Sequence, residues 1–209
     1  MAFIIDGTTG IATVDGSVSA PSQRGQDSNS GISYAADTIK FSTNGVERMA
    51  ITNSGITGIT QGKLLQVVSH LKTGGNFTTT STSNVDVTGM SKDITPTAAS
   101  SKIKVTMSFD ADIDNSTNNT SVAFFIIDRQ VASGSFSEIA GIALGGNSIG
   151  TGNFYNSTAI IYLDSPSYTL GNAITYKMKT LLLSSGATIS VSQSNYPRTS
   201  SIILEEIAA

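Results

Sequence analysis

Two patterns of apolar and polar positions meet near residue 61. Before it, short apolar pairs alternate with turn dipeptides: Asp6-Gly7, Asp15-Gly16, Ser30-Gly31, Asn44-Gly45 and Ser54-Gly55. Thr38–Ser42 alternates, Asn44-Gly45 turns, and Val46–Thr52 alternates again, which predicts a β-hairpin. After residue 61, strand-like runs follow every ten to twelve residues or so, the spacing of a sandwich or barrel. They cover Leu64–Leu71, Asn84–Met90, Lys102–Asp112, Ser121–Val131, Phe136–Leu144, Phe154–Asp164, Ala173–Leu183, Ala187–Gln193 and Ser201–Ile207. No amphipathic helix of useful length is legible. The predicted fold is all-β, with a β-rich segment over 1–61 and a sandwich or barrel over 62–209.

Side-chain alternation assigns faces to these strands. Ile103, Val105, Met107 and Phe109 share one dry face, and Lys102, Lys104, Thr106 and Ser108 a wet one. In the first strand after the boundary, Leu65, Val67 and Ser69 fall on one side, with Leu64, Gln66, Val68 and His70 on the other. Val122–Ile127 and Ala159–Leu163 are apolar on both faces, so each is expected to put one face in the core and the other against a partner subunit. The hairpin segment cannot bury its own apolar face, because an isolated hairpin is marginal in water and some 60 residues hold little core. Either it packs on the following domain, or identical segments of other subunits complete it.

Composition narrows the chemistry. Of 209 residues, 39% are hydrophobic and 13% charged, with a net charge of −3 and no cysteine. Disulfides and thiolate metal sites are thereby excluded. Three basic and five acidic residues precede Gln61, and nine and ten follow it, so neither part is a basic arm and no nucleic-acid partner is expected. Met1–Asp6 lacks the make-up of a signal peptide, and the longest apolar runs fall far short of the ~20 residues of a membrane span. Synthesis in a reducing cytoplasm, without membrane insertion, is the expectation.

Ser19-Ala-Pro-Ser-Gln-Arg24, Asp27–Ile32 and Asp37–Arg48 resemble the shaft repeat of bacteriophage tail fibres, in particular those of marine and cyanobacterial phages. Gly62-Lys-Leu-Leu-Gln-Val-Val68, Asp164-Ser-Pro166 before Thr175-Tyr-Lys177, and the ending Ile203–Ala209 are similar to the C-terminal heads of such fibres. The resemblance implies a parallel homotrimer with a β-rich shaft over 1–61, jelly-roll-like β-sandwich heads over 62–209 like those of complement C1q and tumour necrosis factor, and a place on the virion. With one clear shaft repeat, it implies a short tail fibre or spike bound to other virion proteins through its N-terminal segment. The alternative within the same fold is a capsid decoration protein or head fibre.

Chemical motifs are few. His70 is the only imidazole; three copies on a trimer axis are the one arrangement that would make it a metal site. Asp110-Ala-Asp-Ile-Asp114 begins like a calcium loop but has Asn115 where Gly is required and Ser121 where Glu is required. Its three carboxylates are expected on one solvated strand face. Glu205 and Glu206, adjacent on a strand, point to opposite faces and cannot act as a pair. The Gly-rich 141–152 stretch lacks the ending of a phosphate loop. No enzyme, cofactor or metal site is predicted. Recognition is assigned to polar, aromatic loops, with Asn118, Asn119, Tyr155, Tyr168 and Tyr196 as the residues suited to a host glycan or protein.

Overall fold

The computed structural model describes residues 5–6, 10–11, 15–58, 63–72, 75–115, 121–146, 152–183, 185–192 and 199–209. The chain divides into two compact units, Met1–Lys63 and Leu64–Ala209.

In the first unit, β1 (Ile5–Asp6) pairs with β2 (Gly10–Ile11), and β3 (Gly16–Ser17) with β4 (Ala20–Pro21). An antiparallel meander follows: β5 (Gln23–Arg24), β6 (Gly31–Ala35), β7 (Thr38–Thr43), β8 (Val46–Thr52) and β9 (Gly55–Thr57). Asn44 (φ 52°) and Gly45 (φ 70°) make the tight turn between β7 and β8, the two positive φ angles that a two-residue hairpin matched to strand twist requires.

The second unit contains β10 (Leu64–Leu71), β11 (Phe77–Thr79), β12 (Val85–Ile94), β13 (Lys102–Asn115), β14 (Ser121–Val131), β15 (Ser137–Gly146), β16 (Gly152–Asp164), β17 (Ile174–Leu182), β18 (Ala187–Val191) and β19 (Ser201–Ile207). One sheet runs β12-β17-β14-β15. In the other, β13 is flanked on one side by β16 and on the other by β19 along Lys102–Ser108 and β18 along Ala111–Asn115. β10 lies outside β19, and β11 outside β18. Thus β18 and β19 are two halves of one interrupted strand, as are β10 and β11. Counted as eight strands, the sheets read 1-8-3-6 and 2-7-4-5, the strand order of a jelly roll. All pairs are antiparallel.

Alternation builds the core between the sheets. Ile103, Val105, Met107, Phe109, Ala111 and Ile113 of β13 meet Ala123, Phe125 and Ile127 of β14 and Ile174, Tyr176 and Met178 of β17, all buried. The rings of Phe109 and Phe125 lie 4.6 Å apart. Two polar clasps join elements that the core alone would leave free. Asp164, at the end of β16, accepts from Arg129 Nη1 of β14 at 2.9 and 3.1 Å and from the Tyr176 hydroxyl of β17 at 2.7 Å, tying one sheet to the other. Burial and that bond to Asp164 push the Tyr176 phenol well above its usual pKa.

The second clasp is Glu206, fully buried and pointing inward from β19. It accepts from Gln66 Nε2 (2.7 Å), the Thr97 N–H (2.9 Å) and hydroxyl (3.0 Å), the Ala98 N–H (3.1 Å) and the Ser101 hydroxyl (2.8 Å). Burial alone would push its carboxyl up, but the donors from Thr97, Gln66, Ser101 and Ala98 together hold it below the ordinary glutamate value.

Three expectations are corrected. The pairing of β10 with β19 shifts between Leu64 and Gln66, a bulge at Leu65. Leu64, opposite Ile207, therefore shares the face of Val67, opposite Glu205, and not that of Gln66 and Val68. The carboxylates of Asp110, Asp112 and Asp114 are not uniformly solvated: Asp112 is buried, since Tyr155 and Ser190 flank it on the neighbouring strands. The strand predicted over Phe154–Asp164 begins two residues earlier, at Gly152, so Tyr155, assigned to recognition beside a loop, lies within β16.

Candidate subunit-contact face

The two sheets of the second unit present unlike outer faces. Outside the β12-β17-β14-β15 sheet, Lys177 Nζ lies 2.8 Å from Asp86 and 3.7 Å above the Phe136 ring, and Lys179 pairs with buried Asp128. That hydrogen bond to Asp128 holds the Lys179 ammonium above its usual pKa, although burial opposes it. Asn84 Nδ2 donates to Glu138 at 2.5 Å. Lys177, Lys179, Asp86, Asp128 and Glu138 are thus matched within the chain. Val122, Phe124 and Ile126 of β14, the outer side of the run expected to meet a partner, are half-buried.

The other outer face carries Asp110, Asp112 and Asp114 toward one end of β13 and is largely apolar over the rest. Register aligns four rows across β10, β19, β13 and β16. The first is Leu71–Ser201–Ser108–Ala159 and the second Ser69–Ile203–Thr106–Ile161. Val67–Glu205–Lys104–Leu163 makes the third, and Leu64–Ile207–Lys102 the fourth. Ile161 is 65% exposed, Val67 52%, and Leu64, Leu71 and Leu163 50% each. The central charges, Lys104 and Glu205, neutralise one another at 2.7 Å. Small residues, Ser69, Ser108, Ser201, Thr106 and Ala159, fill the remaining positions of these rows.

Exposed apolar side chains scattered singly are ordinary, but a contiguous apolar sheet face on a soluble protein marks a contact surface. Covering each such side chain, already about half-buried, is worth about 1–2 kcal/mol, some half of the transfer free energy of full burial. The two-faced run Ala159–Leu163 signalled part of this face in the sequence. Ile203 and Ile207 also carried a signal, as each follows or precedes residues that point inward. Leu64 did not, because the bulge that turns it outward has no one-residue signature.

The five residues assigned to recognition fall in different places. Asn118, Asn119 and Tyr196 lie outside the described residues. Tyr155 is 49% exposed, three residues inside β16, at the end of the sandwich where Asn115 pairs with Gly152 and Ser121 with Gly146. Tyr168 is at the opposite end, packed against the core. Its hydroxyl accepts from the Ser101 N–H at 2.8 Å and donates to the Ala98 carbonyl at 2.6 Å. The structure thus does not bring Tyr155 and Tyr168 together. His70 pairs opposite Ile202 on the inward side of β10 and is half-buried. Among the described residues, no group of three or more His, Asp or Glu is placed to hold a metal ion. No helix among them is long and apolar enough to cross a membrane.

No family model matches the chain, and no curated protein does. Among solved structures, a chain of infectious bursal disease virus, Gt strain, aligns at TM-score 0.37 and 12% identity, over 94% of this chain and 56% of that one. A chain of the Gx strain of the same virus aligns at TM-score 0.35 and 11% identity, over 94% and 55%. The present chain therefore spans a little over half the length of these viral chains. Likeness at this level carries no argument about function.

Proposed function

We propose that this chain is a structural protein of a phage virion, assembled as a homotrimer through the outer face of the β10-β19-β13-β16 sheet. The observation that carries the reading is the contrast between the two outer faces. One has Lys177, Lys179, Asp86 and Asp128 paired within the chain; the other offers Leu64, Val67, Leu71, Ile161, Leu163, Ile203 and Ile207 around the Lys104–Glu205 ion pair, with Lys102 and Asp110 at its borders. The number three and the virion setting rest on the resemblance of the 19–48 and 62–68 segments and the C-terminal ending to phage tail fibres. In this reading the protein is a short tail fibre or spike that works by binding and not by catalysis. The N-terminal unit joins other virion proteins, and the jelly roll meets a host glycan or protein at the end that carries Tyr155. Three copies of a weak site suffice, since multivalency raises avidity ~10²–10⁴-fold.

Antibody labelling of purified particles of the encoding virus, imaged by electron microscopy, tests the assignment. Label at the tail tip is expected. Label spread over the capsid would replace the fibre with a decoration protein, and particles without label or peptide of the protein would overturn a virion role.

A further inference from the structure

The second unit buries a lysine with no acid to balance it. Lys72 follows β10, and its backbone N–H extends the pairing with β19 by donating to the Ser200 carbonyl at 2.8 Å. Its stem runs past Gly89, which sits at φ +82° in the irregular stretch of β12 between Asp86 and Ser91. A Cβ at Gly89 would lie 3.1 Å from Lys72 Cγ, so the bare glycine makes room for the stem. Lys72 is only 7% exposed. Its Nζ donates to the Gly75 carbonyl at 2.6 Å. Among the described residues no carboxylate stands within 4.0 Å of that nitrogen, and its two other N–H donors have no partner. Burying an ion is costly unless an opposite charge and further hydrogen bonds compensate it. Burial accordingly holds this ammonium below the ordinary lysine pKa.

The side chain does not end in packed core. Lys72, Gly75, Asn76, Phe77, Thr78 and Thr88 line an open pocket of about 400 Å³ between the end of β10, the start of β11 and the irregular stretch of β12. Asn76, Thr78 and Thr88 are exposed, so the pocket is reached from solvent, and they bring one amide and two hydroxyl groups to its walls. We propose that this pocket binds a small oxyanion, a carboxylate or phosphate group, on Lys72 Nζ. Such a group supplies what the lysine lacks, a negative charge and lone pairs for its N–H donors, in the charge-assisted form that makes these bonds strong. A neutral ligand would leave the charge unbalanced, and a cation would be repelled. A carboxylate ligand of this size is a sugar acid; a phosphate ligand is the free ion or a phosphorylated small molecule. The site lies within one chain, so it stands whether or not the protein assembles as a trimer on a virion.

Isothermal titration calorimetry of the full chain with inorganic phosphate and, separately, with glucuronate, at fixed ionic strength, tests the site. At least one probe is expected to bind at about one per chain with a Kd of about 1 mM or below. Binding of phosphate alone assigns a phosphate ligand, and binding of glucuronate alone a sugar acid. Lys72→Met keeps a stem beside Gly89 and removes the charge. It is expected to weaken binding tenfold or more without lowering Tm, since the unbalanced ion is gone. Absence of binding by both probes at tenfold that concentration overturns the proposal, as does a folded Lys72→Met chain that binds like the parent. A second measurement needs no variant. Acetylation of the parent by acetic anhydride, read by peptide mass spectrometry, should slow at Lys72 tenfold or more when the binding probe is present, against no change at exposed Lys63. An unaltered rate at Lys72 places the anion elsewhere and contradicts the proposal.

Discussion

Glu206→Gln tests the physical account of the jelly roll at its most demanding point. The parent carboxylate is fully buried and faces five donors from Gln66, Thr97, Ala98 and Ser101, and those donors hold residues 97–101 against β19. Gln66 uses its second amide N–H on the Thr95 carbonyl at 2.7 Å, so it cannot turn to a new partner without losing that bond. A glutamine fits the volume but replaces one acceptor oxygen with an NH2 group aimed at donors, and removes the charge from the bonds that remain. Leaving one or two buried donors unpaired costs about 2–4 kcal/mol at 1–3 kcal/mol each. For a chain of this length, that lowers Tm by about 5–15 °C.

The assay is thermal unfolding of parent and variant by circular dichroism, at one protein concentration because assembly contributes to Tm. The pH dependence supplies a second reading. The folded carboxyl titrates below its ordinary value of 4.5, so its stabilisation is fully present above that value and is lost as pH falls through the lower folded one. The gap between parent and variant should be constant from pH 7 to 5, narrow once pH falls below 4.5, and close as pH passes through the lower folded value. A variant that melts with the parent at pH 7, or a gap that persists unchanged into acid, refutes the reasoning.

Arg129→Ala strands Asp164 in the sandwich with only the Tyr176 hydroxyl, and should cost about 3–5 kcal/mol in chemical denaturation; Asp164→Asn in the same background should recover part of it. Gly31→Ala should break the β5–β6 pairing, because at φ +156° its Cβ would stand 2.0 Å from the Gln23 carbonyl oxygen; faster hydrogen exchange over residues 23–35 is the readout. Tyr155→Ala should lower binding of the assembled protein to host cells tenfold or more while the chain keeps its β-type circular dichroism, although Asp112 beside it loses part of its cover. Tyr168→Phe should leave binding intact and cost about 1 kcal/mol of stability through its lost hydrogen bonds.

The jelly roll was legible because its strands carry strong local signals. Leu64–Leu71, Ser121–Val131 and Ser201–Ile207 are strands with the bounds that alternation assigns. The dry side of Lys102–Ser108 is the side that enters the core. Asn44-Gly45 turns the hairpin as its dipeptide requires. What stayed hidden depends on pairing between distant residues. β11 has only three residues and exists through its ladder with β18. The bulge at Leu65 is visible only in the register with β19. Glu206 read as half of an unpaired acidic doublet, since its donors lie more than a hundred residues away except across the sheet. An apolar row across β6–β9, Tyr34–Ile39–Ile51–Ile56, likewise needs three registers at once. Of the candidate site, the outer residues of Ala159–Leu163 were legible; the rows that join them to Ile203, Ile207 and Leu64 were not.

Sedimentation equilibrium of the full chain, beside the Ile161→Asp, Leu163→Asp double variant, tests the central claim most directly. Both side chains stand outward on β16, so two carboxylates there disable the contact without entering the core. The account predicts a parent mass near 65 kDa, three times the chain's 21.6 kDa, and a folded variant whose mass falls toward that of one chain. A parent that remains at 21.6 kDa at micromolar concentrations, or a variant that assembles as the parent does, would contradict it.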